Sequence, residues 1–376
     1  MKLVRILAAL GLAACATKDT TAPAVANAVF DGEPQASTGA GAVYTQTNDA
    51  QSNAVRVFSR AASGLLTFVA DYPTSGTGNG APGLGSQAAV IIAEGRFLLA
   101  VNAGSSEISS FRITSQGLTF VETISSGGTM PVSIASFGRL VYVLNAGSDN
   151  LTGFRLNNSG NLTPIPSSTR PLSGTGVGPA QVGFHPRGER LVVTEKNTNK
   201  IDVFVVNADG TLSGPSVFAS SGTTPFGFEF SQRGLLVVSE AFGGAPNASA
   251  TSSYLIDGGA LHALSKSVPT TETAACWVVI TNNQLYAYVT NTGSNTISGY
   301  RVAPNGTLSL LDDDGVTATT QAGPIDAAFA NNSQILYTLD RTAGVISIFR
   351  VNADGSLSSI GQQTGLPTTS YGLAAR

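Results

Sequence analysis

Two glutamates stand at points where other copies of a repeated sequence pattern place an asparagine or an aspartate. Glu195 ends the run Arg-Leu-Val-Val-Thr-Glu, and Glu240 ends the run Leu-Leu-Val-Val-Ser-Glu of the next copy. The equivalent residues of the other copies are Asn48, Asn102, Asn145, Asn291 and Asp340. Asparagine suits the end of a strand because its side chain bonds nearby backbone and tolerates left-handed turns. Two adjacent carboxylates instead predict an acidic site for acid–base chemistry, a cation or a sugar.

The same two glutamates also have non-catalytic explanations. Glu195 is close in sequence to Lys196 and Lys200, so a local ion pair would account for its charge. A solvated rim would accommodate both carboxylates equally well, because acidic side chains are mostly exposed in folded proteins. The sequence leaves these alternatives open.

Further candidates for the same site lie elsewhere in the chain. An acidic–arginine pair occurs at Asp340-Arg341, and Trp277 is the only tryptophan. Trp277 falls in a predicted innermost strand, where an aromatic ring would line a channel mouth and stack on a ligand. The chain has two histidines, so neither a histidine-rich zinc site nor a Ser-His-Asp triad is predicted. We expect no metal and no cofactor.

The strands that must position these residues come from a repeat of four apolar segments separated by short turns. In residues 179–219 the segments are PAQVGF, ERLVVTE, KIDVFVVN and TLSGPSVFA. Four antiparallel strands joined by tight turns make one propeller blade. The third strand carries an aromatic residue in each copy, at Phe58, Phe111, Phe154, Phe204, Tyr254, Tyr300 and Phe349. A glycine precedes the fourth strand at Gly64, Gly117, Gly160, Gly210, Gly259, Gly306 and Gly355.

These seven copies predict an all-β fold, a seven-bladed β-propeller spanning residues 42–376 as one domain. Repeats of this length are typical of propellers and solenoids. The first copy lacks its innermost strand, and the segment Thr369–Arg376 matches the first-strand pattern. We therefore expect the C-terminal strand to complete blade one and close the ring, which leaves no open sheet edge inside it.

Composition excludes some classes of partner. Only 11% of the residues are charged and the net charge is −3. Nucleic-acid binding requires a basic patch or stripe, which this chain does not have, so nucleic acid is not an expected partner. We expect a monomer whose partner is a small-molecule ligand or another component of the cell surface.

The N-terminus reads as a targeting segment. Residues 1–14 combine a positive start with a short apolar core, which fits a signal peptide and is too short to span a bilayer. The run Leu-Ala-Ala-Cys resembles a bacterial lipobox and predicts lipidation of Cys15, with residues 15–41 as a flexible tether. The alternative is an ordinary secretory signal. The prediction is an exported, membrane-anchored lipoprotein, which in a Gram-negative cell would lie in the outer membrane or periplasm.

Several motifs carry a resemblance to a known family. The tetrapeptide Tyr-Val-Thr-Asn at residues 288–291 resembles the surface-protein propeller repeats named after it. The longer pattern of Phe-His-Pro-Arg-Gly at 184–188, then Val-Val-Thr-Glu, then residues 199–212, is similar to the seven-bladed lactonases. That family includes 6-phosphogluconolactonase-type enzymes and carboxymuconate cyclases. The resemblance implies a propeller with its active site at one mouth of the central channel.

The chain departs from the family at the residues that the resemblance assigns to catalysis. The family's Gly-Pro-Arg-His run reads Gly-Pro-Ala-Gln here, at residues 178–181. Its Asn-Glu pair reads Thr194-Glu195, and the Asn-Arg of its next blade reads Glu240-Ala241. Of the polar and charged residues in these motifs the chain keeps only the glutamate at 195.

Two functions are therefore predicted. The first is hydrolysis or isomerisation of a lactone or sugar acid, with Glu195 as general base, Glu240 or Arg341 assisting, and Asp340 and Trp277 contacting the ligand. The second is a non-catalytic surface propeller that binds a ligand, polysaccharide or protein. A phosphorylated sugar is disfavoured, because the predicted mouth lacks the arginines that phosphate recognition prefers.

Overall fold

Seven antiparallel sheets succeed one another around a central channel in the computed structural model, which describes residues 40–81, 83–330 and 332–376. The predicted signal peptide, Cys15 and most of the predicted tether lie outside the described residues. The innermost strands contact one another from blade to blade around the ring. This arrangement confirms the predicted seven-bladed propeller of four-stranded antiparallel blades.

Each blade follows the chain outward from the channel, with blade one completed from the C-terminus. Blade one comprises β1 (Gly41–Gln46), β2 (Ala54–Arg60), β3 (Leu66–Pro73) and the innermost β30 (Tyr371–Ala375). Blade two comprises β4 (Val90–Ala93), β5 (Phe97–Asn102), β6 (Glu107–Thr114) and β7 (Gly117–Ser125). Blade three comprises β8 (Pro131–Phe137), β9 (Leu140–Asn145), β10 (Asn150–Leu156) and an outer strand split into β11 (Leu162–Pro164) and β12 (Arg170–Pro171).

The remaining four blades repeat this order. Blade four comprises β13 (Pro179–Phe184), β14 (Arg190–Glu195), β15 (Lys200–Val206) and β16 (Leu212–Ala219). Blade five comprises β17 (Pro225–Phe230), β18 (Leu236–Glu240), β19 (Ala250–Asp257) and β20 (Ala260–Pro269), with a 3₁₀ turn at Phe242–Gly244. Blade six comprises β21 (Ala275–Ile280), β22 (Tyr286–Asn291), β23 (Thr296–Val302), β24 (Leu308–Leu310) and β25 (Ala318–Thr319). Blade seven comprises β26 (Pro324–Ala330), β27 (Ile335–Asp340), β28 (Val345–Val351) and β29 (Leu357–Thr364).

The core lies between the blades, where the repeated aromatic residues pack. All seven third-strand aromatics are buried, each exposing 2% or less of its surface. The glycine before each fourth strand has a positive φ, between 86° and 119°, which a residue with a side chain adopts only at a cost. The repeat therefore records two physical requirements, an interblade filler and a left-handed turn.

The C-terminal strand closes the ring as predicted. β30 pairs antiparallel with β1, and its free side contacts the innermost strands of blades two and seven. Within the part of the chain that the structure describes, no helix has the length and apolar character needed to cross a bilayer. Below, the N-face is the face on which the innermost strands begin, and the C-face is the one on which they end.

Candidate functional site

The residues that end the second strands point into the junctions between blades. In blades two to seven these residues are Asn102, Asn145, Glu195, Glu240, Asn291 and Asp340, and all are fully buried. Five of them bond a hydroxyl on the adjacent third strand, at Ser109, Thr152, Ser252, Ser298 and Ser347. We call the buried polar residue at this repeated position the pin of its blade.

The same pins also hold the connector that arrives from the preceding blade. Glu240 accepts the backbone N–H of Gly222 at 2.8 Å, and Asp340 accepts that of Gln321 at 2.9 Å. Glu195 accepts both the N–H and the hydroxyl of Ser173, at 3.0 and 2.7 Å. Buried backbone groups need such partners, since a buried N–H without one costs free energy. The carboxylates thus have a structural task at the blade junctions.

Glu195 and Glu240 are not brought together by the fold. Glu195 accepts from Ser173 and Thr198, whereas Glu240 accepts from residues of its own blade and its own connector. The two carboxylates share no hydrogen-bond partner and make no bond to each other among the described contacts. Neither lysine suggested by the sequence forms an ion pair with Glu195; Lys200 instead donates to Ser173 Oγ at 3.3 Å. Catalytic roles for Glu195 and Glu240 remain predictions, and their surroundings favour the structural role.

Blade four carries Asp202 on its third strand, where blades two, three, five, six and seven place a hydroxyl. The N–H of Ser173 donates to Asp202 Oδ2 at 2.9 Å as well as to Glu195. Burial and the neighbouring Glu195 carboxyl raise the pKa of Asp202 to about 8. Two buried carboxyl groups in contact cannot both ionise cheaply, so the pair holds a proton at neutral pH.

In blade one the register corrects the sequence-based alignment of Asn48. The third-strand aromatic Phe58 pairs with Val43, and in every other blade the pin lies four residues beyond that pairing partner. The equivalent residue in blade one is therefore Thr47. Asn48 lies in a turn with φ 51° and donates from its side-chain amide to Asn79 Oδ1 at 2.8 Å.

Asp340 and Arg341 are both buried. Asp340 is fully buried, and burial raises the pKa of its carboxyl to about 7. Arg341 exposes 3% of its surface and donates to the carbonyl of Thr368 at 2.9 Å, in the segment leading to β30. Their predicted roles in catalysis and ligand binding stay untested, and the observed contacts join blade seven to the ring closure.

A loop blocks the channel on the N-face. Residues 83–89, which we call the channel plug, precede β4 and contact four other blades. Ser86 Oγ donates to Val132 O in blade three at 2.8 Å, and the Ser86 N–H donates to the Tyr371 hydroxyl in blade one at 3.1 Å. The Gln87 N–H donates to Ala180 O in blade four at 3.2 Å. Lys196 adds a bond from its ammonium to the carbonyl of Gly85.

Trp277 lies on the innermost strand β21, where the plug covers it. Its indole N–H donates to Ser86 O at 2.8 Å, and its ring packs edge-on against Phe226 and Tyr371 with centroids 5.3 and 6.4 Å away. Its exposed fraction is zero. Stacking on a ligand stays an untested prediction that would require the plug to move.

Behind the plug, the channel opens into two adjoining cavities toward the C-face. Their volumes are about 250 and 360 Å³. Both are lined by Gln87, Ala327, Ala328 and Phe329, so Gln87 forms a shared floor. Polar groups come from Asp326 in one cavity and from Gln181, Glu229 and Asn282 in the other. Among the described lining residues none is a lysine, arginine or histidine.

Glu229 is a channel carboxyl that sequence reasoning missed. It lies on β17 between two phenylalanines, and its Oε2 accepts the N–H of Ile280 on the neighbouring innermost strand. Burial raises its pKa to about 8, and the N–H bond offsets that effect only in part. Near neutral pH the carboxyl can therefore donate a proton or accept one, the property expected of an acid–base group.

Asp326 is the second channel carboxyl, and it is bound more tightly. Its Oδ1 accepts the N–H of Ala327 at 2.8 Å, and its Oδ2 accepts the N–H of Leu373 at 3.0 Å. Burial raises the pKa of Asp326 well above its usual range. Because Leu373 belongs to β30, this contact ties blade seven to the closing strand.

Gln181 supplies a fixed amide to the same channel. Its Oε1 accepts the N–H of Phe228 at 2.6 Å, which orients the side chain. No group of three or more His, Cys, Asp or Glu side chains suited to hold a metal occurs among the residues that the structure describes. The channel groups can therefore offer hydrogen bonds and proton transfer to a small ligand.

A match to a family profile identifies the family of this chain. A family profile described as lactonase, 7-bladed beta-propeller, matches residues 47–177 and 249–371, more than half of the chain. The chain belongs to this lactonase family. No curated protein matches the sequence significantly.

Solved structures of other proteins share the same propeller fold. A Bacteroides fragilis protein, provisionally named a 6-phosphogluconolactonase, superposes with a TM-score of 0.73 at 17% identity, over 92% of this chain and all of its own. A periplasmic gluconolactonase from Pseudomonas aeruginosa gives 0.68 at 16% identity, over 87% of this chain and 97% of its own. At such identities the likeness establishes the fold.

Two features of the sequence indicate the channel plug and the two channel carboxyls. The step from Phe58 to Phe111 is the longest between successive aromatics, and it contains the Gly-rich segment that becomes the plug. Glu229 and Asp326 are isolated carboxylates inside otherwise apolar strands, which is a costly placement without a partner or a task.

Proposed function

We propose that this lactonase-family propeller binds and hydrolyses an uncharged lactone in the cavities toward the C-face. The observation that carries the proposal is a pair of adjoining cavities that together are lined by two carboxyls, three side-chain amides and apolar side chains, in a chain of this family. Ligand sites are typically concave and hold a few convergent polar groups that orient the ligand, and these cavities contain such groups in Glu229, Asp326 and Gln181.

The lining favours a ligand that carries no negative charge. Glu229 and Asp326 are the ionisable groups among the described lining residues, and no basic side chain faces them. A phosphate or carboxylate would enter without a cation to pair with, and an unpaired buried charge is costly. Neutral carboxyls and amides can instead bond the hydroxyl and carbonyl oxygens of a lactone.

A second candidate is ligand binding without turnover. It is favoured by the N-face, where residues 178–181 read Gly-Pro-Ala-Gln in place of the family's Gly-Pro-Arg-His and where the channel plug fills the mouth. Under this alternative the cavities hold a ligand but release it unchanged.

We also propose that the protein works outside the cytoplasm as a lipid-anchored propeller. The support is the signal-like segment 1–14 followed by Cys15. Several acyl chains on one residue would hold the protein stably at a membrane, whereas a single chain would bind only reversibly.

Ala328 provides a direct test because it lines both cavities. The substitution Ala328→Phe fills the channel and should weaken binding of glucono-1,5-lactone at least about tenfold, measured by calorimetry, and lower its hydrolysis in parallel. The matched control is Ala219→Phe on an exposed outer strand, which should leave both unchanged. The 6-phosphate of the same lactone should bind wild type more weakly than the uncharged form.

Each outcome separates the candidates. Binding and turnover that Ala328→Phe abolishes support the lactonase, and binding without turnover supports the second candidate. Binding that is the same in wild type and Ala328→Phe would place the ligand elsewhere and overturn the proposed site.

A further inference from the structure

We infer that Glu229 is the catalytic acid–base residue of this channel and that Gln181 is the amide that stabilises the developing oxyanion. This inference rests on the proposed lactone hydrolysis. It differs from the prediction made from the sequence, which assigned general-base catalysis to Glu195 at the end of the second strand of blade four.

The two channel carboxyls are distinguished by their hydrogen bonds. Asp326 is 1% exposed and has an N–H group on each oxygen, so its carboxyl is committed to the strands that it joins. Glu229 is half-buried and lines the larger cavity, and its one bond from the described residues goes to Oε2. Its Oε1 accepts no hydrogen bond from the described residues and is the carboxyl oxygen left for a ligand or water.

Glu195 differs from Glu229 in its burial and in its hydrogen bonds. It exposes no surface and accepts hydrogen bonds on both oxygens, from Ser173 and Thr198. A general base must come within hydrogen-bond reach of the proton it removes. In this structure Glu229 meets that requirement from the cavity, and Glu195 does not.

Gln181 lies beside Glu229 in the wall of the same cavity. Its Oε1 is fixed by the Phe228 N–H, which leaves the amide Nε2 as a donor without a protein partner among the described residues. Gln181 is 7% exposed, so this donor is held in a largely water-free place. A preorganised donor of this kind is what an oxyanion requires.

The chemistry balances with water as the only co-reactant. Ionised Glu229 takes a proton from water as the water oxygen bonds to the lactone carbonyl carbon, and the carbonyl oxygen becomes an oxyanion that accepts from Gln181 Nε2. The ring C–O bond then breaks, and the ring oxygen receives the proton from Glu229. The product is the open hydroxy acid, and Glu229 returns to its ionised form.

The test compares Glu229→Gln with the matched substitution Glu195→Gln. Glutamine at 229 can still accept the Ile280 N–H but cannot carry a proton, so turnover of glucono-1,5-lactone should fall about 100-fold or more after correction for spontaneous hydrolysis. Binding should change only a few-fold. Wild-type kcat should rise with pH and level off near the pKa of Glu229, about 8, and Glu229→Gln should lose that dependence.

Glu195→Gln should lower the unfolding temperature while keeping the wild-type kcat and its pH profile. Glu229→Asp checks for folding effects, since it restores a carboxyl and should recover part of the activity and the pH dependence. Full turnover with an unchanged pH profile in Glu229→Gln would overturn the inference and leave the proposed function standing. Failure of wild type to bind the lactone would overturn the proposed function itself.

Discussion

Glu195 and Glu229 are strand glutamates of neighbouring blades, and their surroundings give them different tasks. Glu195 ends a second strand inside a blade junction, where backbone and hydroxyl donors surround it. Glu229 lies on an innermost strand with a single N–H partner and a cavity before it. Residue type alone cannot separate a structural carboxylate from a reactive one, because donors, burial and access decide the role.

Asp202 offers a prediction at this scale, because five other blades place a hydroxyl at its position. Its pKa is raised from 3.8 to about 8, so the folded protein holds a proton that the unfolded chain releases above about pH 4. Stability from this group is therefore lost as pH rises from about 4 to about 8. Asp202→Ser should raise the unfolding free energy at pH 8 by roughly 1–3 kcal/mol and have little effect at pH 4.

Urea unfolding at several pH values measures this difference. Asp257→Ser, at an exposed position, controls for loss of an aspartate and should follow wild type. If Asp202→Ser destabilised the protein equally at pH 4 and pH 8, the shared proton between Asp202 and Glu195 would be contradicted.

The channel plug shows how one connector can change what a fold exposes. In most blades the connector between a fourth strand and the next first strand is short, and a polar pin holds it. The connector before β4 is longer, and its residues 83–89 enter the channel and bond to blades one, three, four and six. The N-face mouth is closed by this loop, so the space for a ligand opens toward the C-face.

Trp277 reports on the plug because it is the only tryptophan in the chain. The combined substitutions Leu84→Gly, Ser86→Gly and Gln87→Gly remove the side chains that seat the plug. They should expose the indole, shift its fluorescence to longer wavelength and increase quenching by acrylamide. The same number of glycine substitutions in the connection between β18 and β19, at Ala245, Asn247 and Ala248, should leave the emission unchanged. An unaltered spectrum in a folded plug variant would argue against the plug as the cover of Trp277.

At the scale of the whole molecule, a ring must join its first and last blades. β30 supplies the innermost strand of blade one, and Asp326 accepts the N–H of Leu373 across the seam. Closure covers the edge of β1 that would otherwise be unpaired, and an unpaired strand edge can pair with other chains. One of the two cavities is complete only when this seam is formed, since Leu373, Ala374 and Ala375 line it.

The lipid anchor is the prediction that concerns the protein as a whole. Cys15→Ser should move the protein from the membrane fraction to the soluble fraction and abolish incorporation of labelled palmitate, because the thiol would carry the acyl chains. Thr20→Ser, a few residues further on, is the matched control and should stay membrane-bound. A Cys15→Ser protein that remained in the membrane fraction with unchanged labelling would contradict lipidation.

Much of the fold could be predicted because the repeat consists of short local patterns, each with its own physical cause. The third-strand aromatics recur because each junction between blades needs a large apolar side chain to fill it. The glycines recur because each hairpin between a third and a fourth strand needs a residue with positive φ. Closure of the ring could be predicted because the sequence of β30 matches those of the other first strands. The site was harder, because the reactive groups come from different blades and no short motif joins them.

The amino-acid sequence by itself determined the number of blades, the closure by the C-terminal strand and the family resemblance, all of which depend on local pattern. Only the tertiary structure decided which acidic residues are buried pins and which face a cavity. Glu195 and Glu240 share a repeated position, and that position proved to point into a junction. Glu229 and Asp326 share no motif, yet innermost strands from separate blades bring them to one channel. Access and hydrogen-bond partners arise between distant segments, so no local pattern could have shown them.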